Sequence, residues 1–477
     1  MIPRVKISVS EDTTNYYTTT VPFVPVVIMH TNSGNIGTKE LVRSESEFIS
    51  KFGLADINTP SAYAIQTYLR TFSYIYVTRV ASESAAVGTA KIAVDTTDLV
   101  SFETIYKTAQ FNGVELHLIY DSVNTKLYLS TTINSSSITS IKETIDMSSA
   151  KAPALSTALS KICDSLNAMN LGFTATNLYV NKLEEDELPT ITDAYAAISG
   201  GDSGLDEVEN SVITSAIDMY AQSGISIDVM VVPEYNDIEI VNYMTSKAEE
   251  FGFMAIVSPG SRDVSSCITD IQSYPKSNSL AVYFPDVYYS GFNAVIPASI
   301  AVLTCYARND NVSKWGAPAG TTRGLLSMVS SLTVVTNDEG LDTLYNNSVP
   351  VNPIKLVDNI GYAVWGQKTT ATSMVYMDRI NIARLVKYVY KRINTISSQY
   401  LFETISQTTF DGWGLQVAAF LETLVSGNAI TEYSYKMDSE NNTEETIAQN
   451  QLIGSVRIKP TEVAEFIDID FVLTSQV

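Results

Sequence analysis

The chain has two histidines and three cysteines among its 477 residues. Cys163, Cys267 and Cys305 lie far apart, with no CxxC pair and no histidine close in sequence, so a structural zinc site has no ligand set to build on. An odd cysteine count without close spacing also fails to make a disulfide framework, and assembly in a reducing cytoplasm is the expectation. Basic residues are scarce: 30 Lys and Arg stand against 52 Asp and Glu, a net charge of −22. A phosphate backbone needs a cationic face to neutralise it, so no nucleic-acid partner is expected. The start of the chain, MIPRVKISVSEDTTNYY, lacks the continuous apolar stretch of a signal peptide. The uncharged run Val287 to Ala307 is interrupted by Ser290, Gly291, Asn293, Pro297, Ser299 and Thr304, which marks a buried core segment rather than a membrane insertion. GxGxxG after a strand, GxxxxGK[ST] and HExxH are all missing, so no cofactor is expected.

What is present is an alternation of strand and helix patterns. VPFVPVVIM reads as a buried strand, SESEFISKFG as a short helix closing at Gly53, and Ala62, Ile65, Tyr68, Leu69 and Phe72 as a helix face before the strand-like SYIYVTRVA. From about Gly88 to Ile191 the texture changes to short alternating runs, ELHLIYD and KLYLSTT, and a Ser/Thr tract over 130–150 reads as surface loops of a β-rich module. After ISGGDSG, the runs ISIDVMVVP, GFMAIVSP and NSLAVYFP each end in Pro and are separated by helical patterns such as DIEIVNYMTSKAEEFG. That order predicts βαβ units with a parallel sheet covered on both faces. The last third holds two amphipathic helices. One carries a stripe of Ile382, Leu385, Val386, Val389, Ile393 and Ile396. The other, with Asp411 as its expected N-cap, carries Trp413, Val417, Phe420, Leu421 and Leu424 and closes at Gly427. An acidic turn, MDSENNTEET, precedes two alternating runs, GSVRIKP and EFIDIDFVL.

Catalytic constellations are thin. GGDSG resembles a serine-protease nucleophile loop, with Ser203 as nucleophile and His30 as a base, but the match is four residues long and sits at a domain junction where Gly and Asp make turns. His117 stands at strand spacing, and Glu184, Glu185, Asp186 and Glu187 form a solvated turn before Pro189.

The termini carry more information. Val5, Ile7 and Val9 alternate with Arg4 and Lys6, and a polar TTNYYTTT follows as a linker. Near the other end Ile467, Ile469 and Phe471 alternate with Asp468 and Asp470, while Arg457 and Lys459 share one face of SVRIKP. An antiparallel hairpin would set Arg457 opposite Asp470 and Lys459 opposite Asp468. The basic first strand could pair with such an acidic strand in another copy, so these residues are expected to exchange strands between subunits, the alternative being that all three strands pair within one chain. Arg379, Arg384, Lys387, Lys391 and Arg392 form a basic helix with no acidic residue between Asp378 and Glu403, expected either to dock on a negatively charged surface or to be a solvated face balancing nearby acids.

These segments together resemble the tail sheath proteins of contractile phage tails and related contractile particles. The opening through SESEFISKFG and AYAIQTYLRTFSYIYVTRVA is similar to the family's N-terminal core. VIPASIAVLTCYARNDNVSKWGAPAGTTRG, VPVNPIKLVDNIGYAVWGQKTT, DRINIARLVKYVYKRI, LFETISQTTFDGWGLQVAAFLETLVSGNAI and RIKPTEVAEFIDIDFVL follow in the family's order. The resemblance implies an α/β core with a parallel sheet (21–87 and 192–353), an inserted outward-facing β-rich (α+β) domain (88–191) and a C-terminal α+β domain facing the tube (354–460). The arms at 1–20 and 461–477 would exchange strands. It implies a structural, non-enzymatic subunit of a virion tail, assembled in the host cytoplasm, with further copies of itself, the inner tail tube protein, and baseplate and tail terminator proteins as partners. The basic helix would hold the tube. A phage-tail-like bacteriocin or injection particle, and an acidic α/β hydrolase using Ser203, are the alternatives.

Overall fold

The computed structural model describes residues 23–133, 136–372 and 376–465. The chain divides into two units: one is formed by residues 28–219, the other by the chain up to Val27 and from Tyr220 onward. The boundary falls within β1 (Pro25–Met29), the expected apolar run, whose five residues are all buried.

In the unit of residues 28–219, β2 (Glu40–Val42) precedes α1 (Glu45–Phe52), α2 (Pro60–Leu69) and β3 (Ile75–Arg79). α1 starts where the Ser44 side chain accepts the Glu47 N–H, and it stops at Gly53, whose φ of 78° suits a residue without a Cβ. Pro60 opens α2, where its missing N–H costs nothing. β2 pairs antiparallel with β3, Leu41 opposite Tyr76; three residues carry too little periodicity for sequence reading to find them. β4 (Thr89–Val94), β5 (Thr97–Thr104), β6 (Glu115–Asp121), β7 (Lys126–Ile133), β8 (Ser136–Thr144), α3 (Ala152–Ala168), β9 (Phe173–Asn177), β10 (Asp193–Ala197) and α4 (Asn210–Ala221) follow. The strands form two antiparallel sheets, β4–β5–β9 and β10–β6–β7–β8. α3 contributes Leu155, Leu159, Ile162 and Leu166 to the core these sheets share, with Phe102, Leu118, Leu127 and Phe173. The β-rich texture is therefore real, but the Ser/Thr tract expected to form loops supplies β8 instead.

In the other unit come β11 (Val229–Val231), α5 (Ile238–Phe251), β12 (Met254–Val257), α6 (Val264–Ile271), β13 (Leu280–Phe284), β14 (Val287–Tyr289), β15 (Val295–Ile296), α7 (Ala298–Ala301), α8 (Leu303–Asp310) and α9 (Gly320–Arg323). They continue with β16 (Val329–Leu332), α10 (Asp338–Tyr345), β17 (Asn352–Val357), β18 (Gly361–Val364), α11 (Ile380–Ser398), α12 (Gln407–Ser426), β19 (Ile430–Lys436), α13 (Glu444–Ala448) and β20 (Ser455–Pro460). Its main sheet runs β18–β17–β13–β12–β11–β1. β1, β11, β12, β13 and β17 are parallel, and β18 is antiparallel at the edge. Every residue of β11, β12 and β13 is buried, as expected for strands covered on both faces. α5 is capped by Asp237, which accepts the Glu239 and Ile240 N–H groups, and ends at the left-handed Gly252. The uncharged run 287–307 is spent on β14, β15, α7 and α8, and among the described residues no helix is long and apolar enough to cross a membrane.

The two late helices bury the stripes read from the sequence. α12 begins earlier than expected, because the Ser406 side chain accepts the Thr409 N–H. Asp411 instead accepts from Gln407 within the helix at 2.8 Å, and its N-cap role is corrected. β19 and β20 make a two-stranded antiparallel sheet whose Ile430 and Ile458 join the α11–α12 core.

Candidate assembly site

The basic residues of α11 do not form an outward face. Arg384, Lys387 and Lys391 follow one another at i, i+3 and i+7, a row that runs beside the buried stripe. Arg384 is 6% exposed, and its Nη2 donates to both carboxylate oxygens of Asp310 at 2.7 and 2.8 Å. Its guanidinium also lies over the rings of Tyr306 and Phe23, 5.0 and 5.9 Å from their centroids. Lys387 and Lys391 are partly accessible as whole side chains, yet their ammonium groups donate to buried acceptors, Ser279 Oγ at 2.6 Å and the Ile227 carbonyl. Lys314 completes the cluster, 3.1 Å from Asp228 and 3.8 Å from Asp310. Arg392 stacks on Phe420. The expected tube-docking face is corrected on this point: the charges of Arg384, Lys387 and Lys391 are engaged inside the chain, because carboxylates distant in sequence meet them there.

Burial pushes Lys387 and Lys391 down to about 8 from an ordinary lysine value of 10.5. From about pH 8 upward the folded chain sheds protons that the unfolded chain retains until about 10.5, so stability rises with pH in that interval. The buried thiols of Cys163, Cys267 and Cys305, pushed up to about 12 from 9, act in the opposite sense above pH 9. Stability should therefore climb between pH 8 and 9, each lysine contributing at most about 1.4 kcal/mol per pH unit. Lys387→Met should flatten that rise, which guanidinium-chloride midpoints across the interval will measure.

Arg379 has a different task. Its Nε donates to Glu465 at 2.6 Å, and Glu465 also accepts from Gln367 Nε2 at 3.0 Å and from the Tyr345 hydroxyl at 3.1 Å. This clamp ties Glu465 to Tyr345 at the end of α10, to Gln367 and to Arg379 at the start of α11. Sequence reading missed it, since its members are spread from 345 to 465.

The expected strand partners fare unevenly. Arg457 and Lys459 lie in β20 opposite Ser434 and Glu432 of β19, and Lys459 pairs with Glu432 at 3.0 Å. β19 takes one edge of β20, the expected register with Asp470 and Asp468 involves residues outside the described ones, and the exposed ion pair contributes about 0–1 kcal/mol. Arg4, Val5, Lys6, Ile7 and Val9, and Ile467, Asp468, Ile469, Asp470 and Phe471, lie outside the described residues.

The GGDSG loop is a structural joint in the unit of residues 28–219. The Ser203 hydroxyl donates to the Asn32 carbonyl at 2.9 Å and accepts the Ala109 N–H at 3.0 Å. A Cβ on Gly201 would meet the Thr108 carbonyl oxygen at 2.1 Å, so the loop can pass here only as glycine. Arg79, from the RVA string, is fully buried. Its Nη1 donates to the Gly34 carbonyl at 2.7 Å, and its Nη2 to the carbonyls of Ser203 and Lys107 at 2.7 and 2.8 Å. His30, held neutral by burial and by Arg79's charge, is pushed down to about 4. Ser203 spends its proton on a carbonyl rather than on a base, which removes the ground for the hydrolase alternative.

The fold is that of the subunits of contractile sheaths. The sheath tail protein from Desulfitobacterium hafniense superposes with a TM-score of 0.62 at 11% identity, covering 91% of this chain and 93% of that one. A subunit of the PVC sheath complex, an extracellular contractile injection system in its contracted state, superposes with a TM-score of 0.55 at 15% identity over 100% of this chain and 98% of that one. In sequence, residues 375–474 match the family described as phage tail sheath C-terminal domain. The tail sheath protein of Enterobacteria phage T4 is 30% identical over 188 residues, 39% of this chain. The chain spans 28% of the length of that relative. Over these stretches the chain is similar to contractile phage tail sheath proteins.

Proposed function

We propose that the chain is a structural subunit of a contractile tail sheath, polymerising with copies of itself around an inner tube and bound at one end to a baseplate. The observation that carries this reading is the agreement in fold with a contractile-sheath subunit over the whole of this chain, joined to the family match at its C-terminal end. Contraction then converts the difference in contact energy between two packings of rigid subunits into movement of the tube, with no active site needed. The terminal segments 1–20 and 461–477 exchange strands between subunits, since each carries an alternating pattern suited to adding a strand to a sheet edge. The clamp at Glu465 fits this role by giving the C-terminal arm a rigid root. The charges of Arg384, Lys387 and Lys391 are engaged within the chain, so these three are not offered as the contact with the tube. In a phage the movement would eject the genome through the host envelope; the likeness to the PVC sheath equally suits an injection particle, and capsid and terminase genes beside this one would mark the phage.

Deleting the first ten residues should reduce the full chain to monomers or isolated rings in sedimentation velocity, at concentrations where the intact chain sediments as long assemblies. Long assemblies of normal size from the deleted chain would remove strand exchange at that end.

A further inference from the structure

The charge cluster behind α11 encloses a cavity of about 10 Å³, lined by Asp228, Gly252, Met254, Lys314, Arg384, Lys387, Tyr388 and Lys391. That is room for about one water-sized occupant. Four cations converge on this region, Lys314, Arg384, Lys387 and Lys391. The carboxylates that act on them are three: Asp228 on Arg384, Lys314 and Lys391, Asp310 on Arg384 and Lys314, and Glu249 on Lys387. The region is one negative charge short. The guanidinium that reaches deepest also has a spare donor: Arg384 Nη1 is shut off from solvent and has no hydrogen-bond partner among the described residues. A buried, charged N–H group left unsatisfied is costly, and its simplest remedy is an acceptor carrying negative charge.

We infer that this cavity is a binding site for a single halide-sized monovalent anion, chloride in the cell, held by Arg384 Nη1 and the ammonium groups of Lys387, Lys391 and Lys314. A halide is a single atom only a little wider than a water, whereas sulfate and phosphate are five-atom tetrahedra too large for this space. Its walls come from the turn into β12, the segment after α8, the start of β11 and α11, so the ion sits where α11 docks on the parallel sheet. Closing the charge balance there fastens the helix that carries Arg379, and with it the clamp on the C-terminal arm. The site is independent of the sheath reading and stands or falls without it.

The test is thermal unfolding of the full chain at pH 7 and constant ionic strength in sodium chloride, bromide, sulfate or gluconate. Chloride and bromide should raise Tm by about 2 °C over gluconate, as for a ligand that binds the native state alone, while sulfate, excluded from protein surfaces, gauges the general effect of salt on burial. Lys387→Met, which removes the surplus charge with little change in volume, should abolish the difference between the halides and gluconate. Bromide anomalous scattering from crystals of the unmodified chain gives a second readout that does not depend on the variant folding, with a peak expected within hydrogen-bonding reach of Arg384 Nη1. Identical Tm values in chloride, bromide and gluconate together with no bromide peak would overturn the inference, and would mean that the surplus charge is relieved by loss of a lysine proton instead.

Discussion

Arg384→Met is expected to lower the unfolding free energy of the chain by about 3–5 kcal/mol, the range found when one partner of a buried ion pair is removed. The cause is what remains rather than what is lost. Asp310, 2% exposed at its side chain, keeps a carboxylate that burial already disfavours and that Arg384 and Lys314 hold ionised. Without the guanidinium it must take up a proton or draw water into the core. Tyr306, whose hydroxyl is 2.8 Å from that of Tyr283, also loses the cation over its ring. Denaturation of Arg384→Met, Asp310→Leu and the double variant gives a cycle that separates the ion pair from the cost of the orphaned charge. Recovery of most of the loss in the double variant is the expected result, since an apolar pair of similar volume can replace a buried ion pair.

Arg79→Met should be comparably damaging in the other unit, for a different reason. No carboxylate hydrogen-bonds Arg79 among the described residues; its two terminal nitrogens hold three carbonyls from three separate loops, at Gly34, Lys107 and Ser203. Each acceptor left unsatisfied costs about 1–3 kcal/mol, so the loss is on the order of 3–9 kcal/mol. Hydrogen exchange should rise together in residues 32–37, 106–110 and 200–204. Arg79→Lys should recover only part of the loss, because a point ammonium cannot span the planar fork that reaches all three. Exchange rising in one loop alone would show that the arginine is not the common tie.

Helix faces and parallel strands were legible because their signals are local. The stripe from Ile382 to Ile396 follows from 3.6-residue periodicity, and the buried strands β11, β12 and β13 follow from short β-branched runs closed by turn residues. The direction of α11's charges was not legible. A basic row beside an apolar stripe reads as a solvated face unless its acidic partners are known, and here Asp228 and Asp310 come from β11's approach and from the end of α8. The i, i+3, i+7 spacing of Arg384, Lys387 and Lys391, continuous with the buried stripe, was the available hint. β19 was not legible as a partner of β20 for a similar reason: Arg457 and Lys459 have the alternation of a strand, but periodicity names no partner. α3 went unread because its Ser and Thr residues dilute a stripe of Leu155, Leu159, Ile162 and Leu166 inside a segment dominated by strand-like runs.

The central claim is that this chain assembles with itself into a sheath. Negative-stain electron microscopy of the purified chain over a concentration series, with and without the neighbouring tube protein, tests it most directly. Hollow, striated tubes of uniform width are the predicted result, formed by the chain alone if the contracted packing is the more stable one, and on the tube protein if it needs that template. Dispersed single subunits at every concentration, unchanged by the tube protein, would contradict the account.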